Sequence, residues 1–309
     1  MKKNKLLIVL VVFLFLTAGC TKNLKGKDNK VVTYEKTGQS ITENILCKPT
    51  NKEVIEIYEK NDVDISKLPE CKNFKITSGG YEGLWTNIFV KPLAWLIIFI
   101  GKLLKNYGFG LIIVSILIRT IMIPITKKTA MQSENMKKAQ PEIAKIEKKY
   151  AKKPQDDKDV MMQKSQEMMM VYKKYNINPM SGCLFSFLQI PLFFAFLEAV
   201  NRIPALFEET FLGLHLGTTP VVAMSKGQYI YIILLVATIV TTYFSFKLNA
   251  TATAPEQEKQ MKFMTRFMMI FIAIASFSLP AGIAIYWIAT NLFTVVQNLI
   301  VKKQSEDKK

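Results

Sequence analysis

Residues 114–126 read VSILIRTIMIPIT, so Arg119, a permanent cation, stands inside a run otherwise suited to hydrocarbon. At the centre of a membrane span an arginine costs roughly 2.5–3.5 kcal/mol on insertion scales, a cost that calls for a carboxylate partner, a water-filled recess or both. Other residues narrow the chemistry further. The four cysteines (Cys20, Cys47, Cys71 and Cys183) and the single histidine, His215, show no metal-ligand spacing. The sequence has no G-x-x-x-x-G-K-[ST] loop, no nucleophile with a base beside it and no paired carboxylates at membrane depth. The expected chemistry is anion docking in an apolar setting, with no catalytic residue, cofactor or metal.

The elements that position Arg119 follow from composition. Half the chain is apolar, yet 41 Lys and Arg outnumber 24 Asp and Glu, a net charge of +17. A soluble nucleic-acid binder could share the charge, but its apolar residues would be scattered at helix or strand periods. Here they are gathered into blocks at 108–126, 182–200, 229–246, 264–279 and 282–301. Each is within or close to the roughly 17–25 residues that cross a bilayer. The expected fold is an all-α polytopic membrane protein with five spans.

The first residues read as a targeting segment. Lys2, Lys3 and Lys5 precede an apolar stretch at 6–16 that is too short for a comfortable span. LTAGC follows and resembles a bacterial lipobox, which would make residues 1–19 a signal peptide and Cys20 the lipidated first residue. The alternative is an uncleaved anchor with an ordinary thiol, because Thr17 stands where leucine is more usual. Residues 20–83 then form an exported polar segment in which Cys47 and Cys71 are either a disulfide or two free thiols.

Charge sets the topology. The lysine-rich 127–178 stretch, the 248–262 loop and the tail with Lys302 and Lys303 are expected in the cytoplasm, and the charge-balanced 201–227 loop outside. Residues 84–105, LWTNIFVKPLAWLIIFIGKLLK, compete for a sixth span, which would put the lysine-rich stretch outside. At 100° per residue Asn87, Lys91, Lys102 and Lys105 share one narrow face opposite Trp and Phe, as in a helix lying in the membrane interface. Pro154 divides 127–178 into a helical hairpin, with Met131, Met136, Ile143 and Ile146 expected to meet Met161, Met162, Met168 and Met169.

In this frame Arg119 lies about 12 Å of helix from Lys127 and about 16 Å from Gly108, too deep to snorkel easily. The other spans hold one acid, Glu198, near an outer end. They do offer neutral polar groups: Gln189 in the second span, Thr238 and Thr241 in the third, and Tyr286, Trp287 and Asn291 in the fifth. With Arg119 these are the candidate lining of a polar recess that receives an anionic guest. The competing reading has Arg119 satisfied by backbone carbonyls and interior hydroxyls for packing alone.

VSILIRTIMIPIT, QPEI in the following loop, NPMSGC with QIP in the second span, and PAG with YW in the last hairpin form an ordered series. Over residues 84–303 it resembles the YidC/Oxa/Alb membrane protein insertases, in the lipoprotein form of Gram-positive bacteria. The resemblance implies five helices around a hydrophilic groove open to cytoplasm and lipid, with Arg119 inside it. It implies a monomer in the bacterial cell membrane that takes nascent membrane proteins, with acidic outer tails drawn to the cation. It also implies contact with membrane lipids, the Sec translocon, the signal recognition particle machinery and the ribosome. No direct binding of nucleic acid is expected, and the short 304–309 tail argues against strong tail-mediated ribosome contact. A lipid scramblase with a similar polar groove is the alternative; a transporter is disfavoured because no inverted repeat is evident.

Overall fold

The computed structural model describes residues 21–154, 157–178, 180–249 and 255–306. Cys20 and the signal segment lie outside the described residues. The chain is mostly helical and divides into two compact units, one of residues 1–118, 189–238 and 275–289, the other of 119–188, 239–274 and 290–309.

In the first unit, β1 (Thr33–Tyr34) pairs antiparallel with β2 (Gln39–Ser40) and is followed by α1 (Lys52–Lys60). Helix α1 starts where the Asn51 side chain accepts the Glu53 amide at 2.9 Å, and carries Lys60 in its last turn to match the helix dipole. Its buried face, Val54 and Tyr58, joins Leu24, Tyr34, Ile41, Ile45 and Ile65 in a small core of its own. Cys47 and Cys71 are bonded, at a Cα–Cα distance of 4.8 Å. Main-chain bonds tie this polar segment to residues 201–227: the Leu46 amide donates to the Arg202 carbonyl (2.9 Å) and the Thr219 amide to the Thr37 carbonyl (2.8 Å).

A π-helical turn (Thr86–Val90) leads into α2 (Lys91–Leu103), and α3 (Tyr107–Ile121) follows. The two helices touch backbone to backbone. A Cβ on Gly110 would meet the Gly101 amide nitrogen and the Ile97 carbonyl oxygen, each at 2.7 Å, so only glycine permits this approach. Ala94, Ile97, Leu111 and Val114 then share a core with Phe196, Leu206, Leu216, Leu234 and Ile285.

Helix α3 does not continue through residue 126. It stops at Ile121, Met122 forms a turn, and α4 (Ile123–Ala151) begins. Pro124 explains the break: it offers no amide to the preceding turn, and its ring crowds the carbonyl four residues earlier. Arg119 therefore sits in the last turn of α3, not at mid-helix as the continuous 108–126 block suggested.

In the second unit α4 pairs with α5 (Lys158–Lys174), which the Asp157 carboxylate caps by accepting the Asp159 amide at 2.8 Å. The expected helical hairpin is present, and its seam is the expected one in part, at Met136, Ile143, Ile146 and Met168. Ala139, Ile143, Val171 and Ile177 are buried, with Met136, Ile146, Met168, Tyr172 and Tyr175 packed on them. Met131, Met161, Met162 and Met169 are exposed. Tyr172 and Tyr175 cover the seam beside Met136 and Met168 where the other methionines were expected.

Helix α6 (Met180–Asn201) is followed by α7 (Pro204–Glu208), the hairpin β3 (Thr210–Phe211) and β4 (Leu214–His215), and α8 (Pro220–Ser225). The long helices α9 (Ile230–Asn249), α10 (Pro255–Ser278) and α11 (Ala281–Glu306) complete the chain. Among the described residues three helices are long and apolar enough to cross a bilayer, Thr86–Leu103, Ile230–Leu248 and Ala281–Gln304, and α3 with α4 passes as one broken span. The 84–105 segment thus meets the length and composition of a span, and Lys91, expected on an exposed cationic stripe, is buried.

The disulfide closes a loop of 24 residues around α1, which on chain entropy stabilises the polar segment by about 3 kcal/mol. Replacing Cys47 and Cys71 by serine is expected to lower the thermal midpoint of that segment and make residues 48–70 a preferred protease target. Unchanged melting and cleavage would show that the bridge contributes nothing.

Candidate functional site

Helix α9 inverts the usual relation of polarity to burial. Ile233 is 69% exposed, with Val236, Val240 and Phe244 also outward, while Thr238, Thr242 and Ser245 are buried, Thr242 to 1%. The same inversion continues in α10 and α11, where Ile270, Ile274, Val296 and Ile300 face out and Ser276 and Thr290 face in. In water such outward faces would aggregate; in hydrocarbon they are the stable arrangement, and interior hydroxyls must then find protein partners.

Those partners are visible in the second unit. Asn291 Nδ2 donates to Thr242 Oγ1 at 2.9 Å, and Gln297 Nε2 donates to Thr126 Oγ1 at 2.5 Å. Thr126 Oγ1 in turn donates to the Met122 carbonyl at 3.1 Å, so the break after α3 is satisfied by a side chain. Thr241 is buried and Arg119 half-buried in this unit. At a helix C-terminus the unsatisfied carbonyls favour a cation by roughly 0.3–1 kcal/mol, which offsets part of the cost of placing Arg119 there.

The remaining predicted residues belong to the first unit. Thr238 Oγ1 donates to the Leu234 carbonyl at 2.8 Å. Tyr286 is buried and stacks on Phe196 with ring centroids 4.0 Å apart, and Trp287 meets Phe193 edge-on at 5.3 Å. Gln189 lies on α6, with its side chain outside the description. Thr241 and Asn291 thus share a unit with Arg119, whereas Thr238, Tyr286 and Trp287 belong to the first unit, where Tyr286 joins the hydrophobic core.

Sequence reasoning missed a cluster of four buried or half-buried charges in the first unit. Lys91 Nζ lies 3.0 Å from Glu82 Oε1 and donates to the carbonyls of Ser78 (2.8 Å) and Gly80 (2.6 Å). Arg202 pairs with Glu82 and, at 3.2 Å, with Glu198 Oε1; Trp85 Nε1 donates to Glu198 Oε2 at 2.9 Å. Burial by itself would raise the Glu82 pKa, but the Arg202 hydrogen bond and charge, followed by those of Lys91, outweigh it and hold the carboxyl below its usual range. The one sequence signal was the i, i+4 spacing of Glu198 and Arg202.

The hairpin has two latches of the same kind. Glu142 Oε1 accepts from Lys174 (2.5 Å) and Tyr175 (2.8 Å), and Glu167 Oε1 accepts from Lys149 (2.5 Å) and Tyr150 (2.9 Å). Each pairs a Lys-Tyr dipeptide near the end of one helix with a carboxylate on the other.

A chain that buries hydroxyls, exposes aliphatics and carries a cation at a broken helix is a polytopic membrane protein with a polar interior. Comparison gives the family. The sequence model described as "60Kd inner membrane protein" matches residues 99–308, and the chain belongs to this family, the YidC/Oxa1 insertases. "Membrane protein insertase YidC 2" of Bacillus anthracis is 34% identical over 221 residues, covering 71% of this chain and 82% of the relative. "Membrane protein insertase YidC" of Oceanobacillus iheyensis is 32% identical over 230 residues, covering 74% and 87%. "Membrane protein insertase MisCA" of Bacillus subtilis is 34% identical over 219 residues, covering 71% and 79%. A crystal structure titled "Active YidC insertase crystal structure with the first transmembrane domain resolved" aligns at a TM-score of 0.44 and 20% identity, covering 80% of this chain and 53% of that one.

The latches carry a pH prediction. Hydrogen bonds from Lys174 and Tyr175 hold Glu142 below its usual range, and those from Lys149 and Tyr150 do the same for Glu167. A carboxyl depressed in the folded state contributes stability above its unfolded pKa of about 4.3 and loses it as pH falls through the folded value. Amide exchange across α4 and α5, corrected for intrinsic rate, is expected to speed up below about pH 4. Glu142→Gln with Glu167→Gln should flatten that dependence; an identical pH profile in the double variant would exclude the latches as its source.

Proposed function

We propose that this chain receives hydrophobic segments from the cytoplasm and releases them into the bilayer without nucleotide hydrolysis. The observation that carries this reading is the inverted helix: hydroxyl and amide side chains held inside α9 and α11 while their aliphatic faces are exposed. Polar groups inside a membrane shell lower the barrier for the polar flank of a segment that must cross. The apolar part needs no further drive, because each Leu, Ile, Phe or Val gains roughly 0.3–0.6 kcal/mol in the membrane.

Arg119 is the residue we assign to attracting the acidic outer tail of such a segment. In the last turn of α3 it sits beside a break that Thr126 and Gln297 make polar, and of the other residues proposed from sequence Thr241 and Asn291 belong to the same unit. A guanidinium or an ammonium would serve as attractor, because long-range attraction depends on charge more than on fork geometry.

The same reading fixes orientation. The hairpin and the lysine-bearing tail face the cytoplasm, and the disulfide-bearing segment faces outside, anchored through a lipidated Cys20. Helix α2 then lies at the outer interface, because a further span there would carry the lysine-rich hairpin across the membrane.

In liposomes holding only the purified chain, a single-span substrate with an acidic outer tail is expected to insert. Arg119→Ala should lower the rate about tenfold, the equivalent of roughly 1.4 kcal/mol, and Arg119→Lys should lower it less. Equal rates for wild type and Arg119→Ala across several acidic-tailed substrates would remove the role given to Arg119. Flipping of labelled lipid with no substrate insertion would assign the groove to lipid scrambling instead.

A further inference from the structure

The buried charge cluster of the first unit is built around a carboxylate that comes from outside it. Lys91 has 0% of its side chain exposed and Arg202 2%, whereas the Glu82 side chain that joins them is 32% exposed. Glu198 lies beneath and is already engaged by Trp85 and Arg202. Without Glu82 the cluster of Lys91, Arg202 and Glu198 has two positive charges and one negative, a net +1 in a buried site. A buried charge left unpaired is strongly unfavourable, so this position demands an anion.

The segment that supplies the anion is otherwise held at its two ends, by the Ser78–Lys75 bonds and by the Gly83 carbonyl, which accepts the Asn87 amide at 3.0 Å. Gly79, Gly80 and Gly83 have φ of +72°, +71° and +99°, a left-handed conformation that glycine adopts without strain. A Cβ on Gly80 or Gly83 would meet nothing within 4 Å, and Tyr81 beside Glu82 is 72% exposed. Residues 78–83 thus form a surface strap that inserts one carboxylate between two buried cations and lends Lys91 two carbonyls. The depressed pKa of Glu82 is consistent with a site that selects the ionised form.

We propose that the Lys91–Arg202 pair is a second carboxylate-binding site, on the exported side, and that Glu82 is its resident occupant, exchangeable for an acidic side chain of the outer tail of an inserting segment. This rests on the insertase reading above and is separate from Arg119, which belongs to the other unit. Exchange conserves charge: one carboxylate leaves the two cations as another arrives, so the buried pair is never uncovered. The site would hold the emerged acidic tail outside and oppose its return.

Two measurements test this on the full chain in lipid nanodiscs. Glu82→Ala should melt below wild type, and formate or acetate should restore the midpoint while chloride at matched ionic strength does not; wild type should respond alike to both. Absence of carboxylate-specific rescue would make Glu82 a fixed structural clamp and overturn the proposal. The second measurement needs no change at Glu82. A photo-crosslinker attached through Tyr81→Cys is expected to capture the outer tail of an acidic single-span substrate during insertion, with capture falling severalfold when the tail acids become amides. Capture indifferent to those acids, with both substrates inserting, would overturn the exchange and leave the insertase reading standing. Failure of every substrate to insert would overturn that reading and this proposal together.

Discussion

Hydrocarbon offers no hydrogen bond, and much of this chain's arrangement follows from that constraint. A hydroxyl, an amide or a broken helix end placed among lipid tails costs several kcal/mol unless protein supplies the partner. Helices α9 and α11 meet the constraint by turning polar side chains toward each other, as in the Asn291–Thr242 contact, and aliphatic ones outward. The break at Met122 meets it with Thr126 and Gln297. Polarity kept inside a helical membrane protein is therefore maintained against a standing penalty. That is the physical reason to look for its use there before looking at the exposed surface.

The polar segment at 21–83 obeys a different constraint, that of a small unit with little apolar core. Seven buried side chains around Tyr34 and Tyr58 make its own core, and so few would hold a domain this size only marginally. Two further devices supplement it. The disulfide shortens the free chain around α1, and backbone bonds to residues 201–227 extend the contact onto the core shared by α2, α3 and α6. The Glu208 carboxylate adds to this by accepting from the amides of Thr50 and Asn51, both at 2.9 Å. Residues 201–227, which read in sequence as a plain external loop, thus become the floor on which the 21–83 segment rests.

What could be read from the sequence divides by range. The apolar blocks were legible because a lipid-facing helix needs about 20 such residues in a row and their clustering is visible without a partner. The hairpin was legible because Pro154 and the caps are local. Its seam was legible in part, at Met136, Ile143, Ile146 and Met168, whereas Tyr150 and Tyr175 find their partners in Glu167 and Glu142, far along the chain. Pro124 was visible but ambiguous, since membrane helices often tolerate proline when neighbouring side chains cover the freed groups. The charge cluster was least legible, because its members stand at positions 82, 91, 198 and 202. Lys91 in particular read as one member of an exposed stripe, yet it is buried and bonded to Ser78, Gly80 and Glu82 of the strap.

Arg119 and the Lys91–Arg202 pair form two cationic sites, and the field at each bears on what it can do. Arg119 gains from a helix terminus, whose field is diffuse and is not used up by one ligand. Lys91 and Arg202 instead face point charges at contact distance, a geometry that is strong but saturable. A diffuse field tolerates a guest passing by, as a transit site must. A saturable pair holds one carboxylate at a time, so a second can bind only by displacing the first. An insertion path with both would attract an acidic tail where the field is diffuse and retain it where the contact is exclusive.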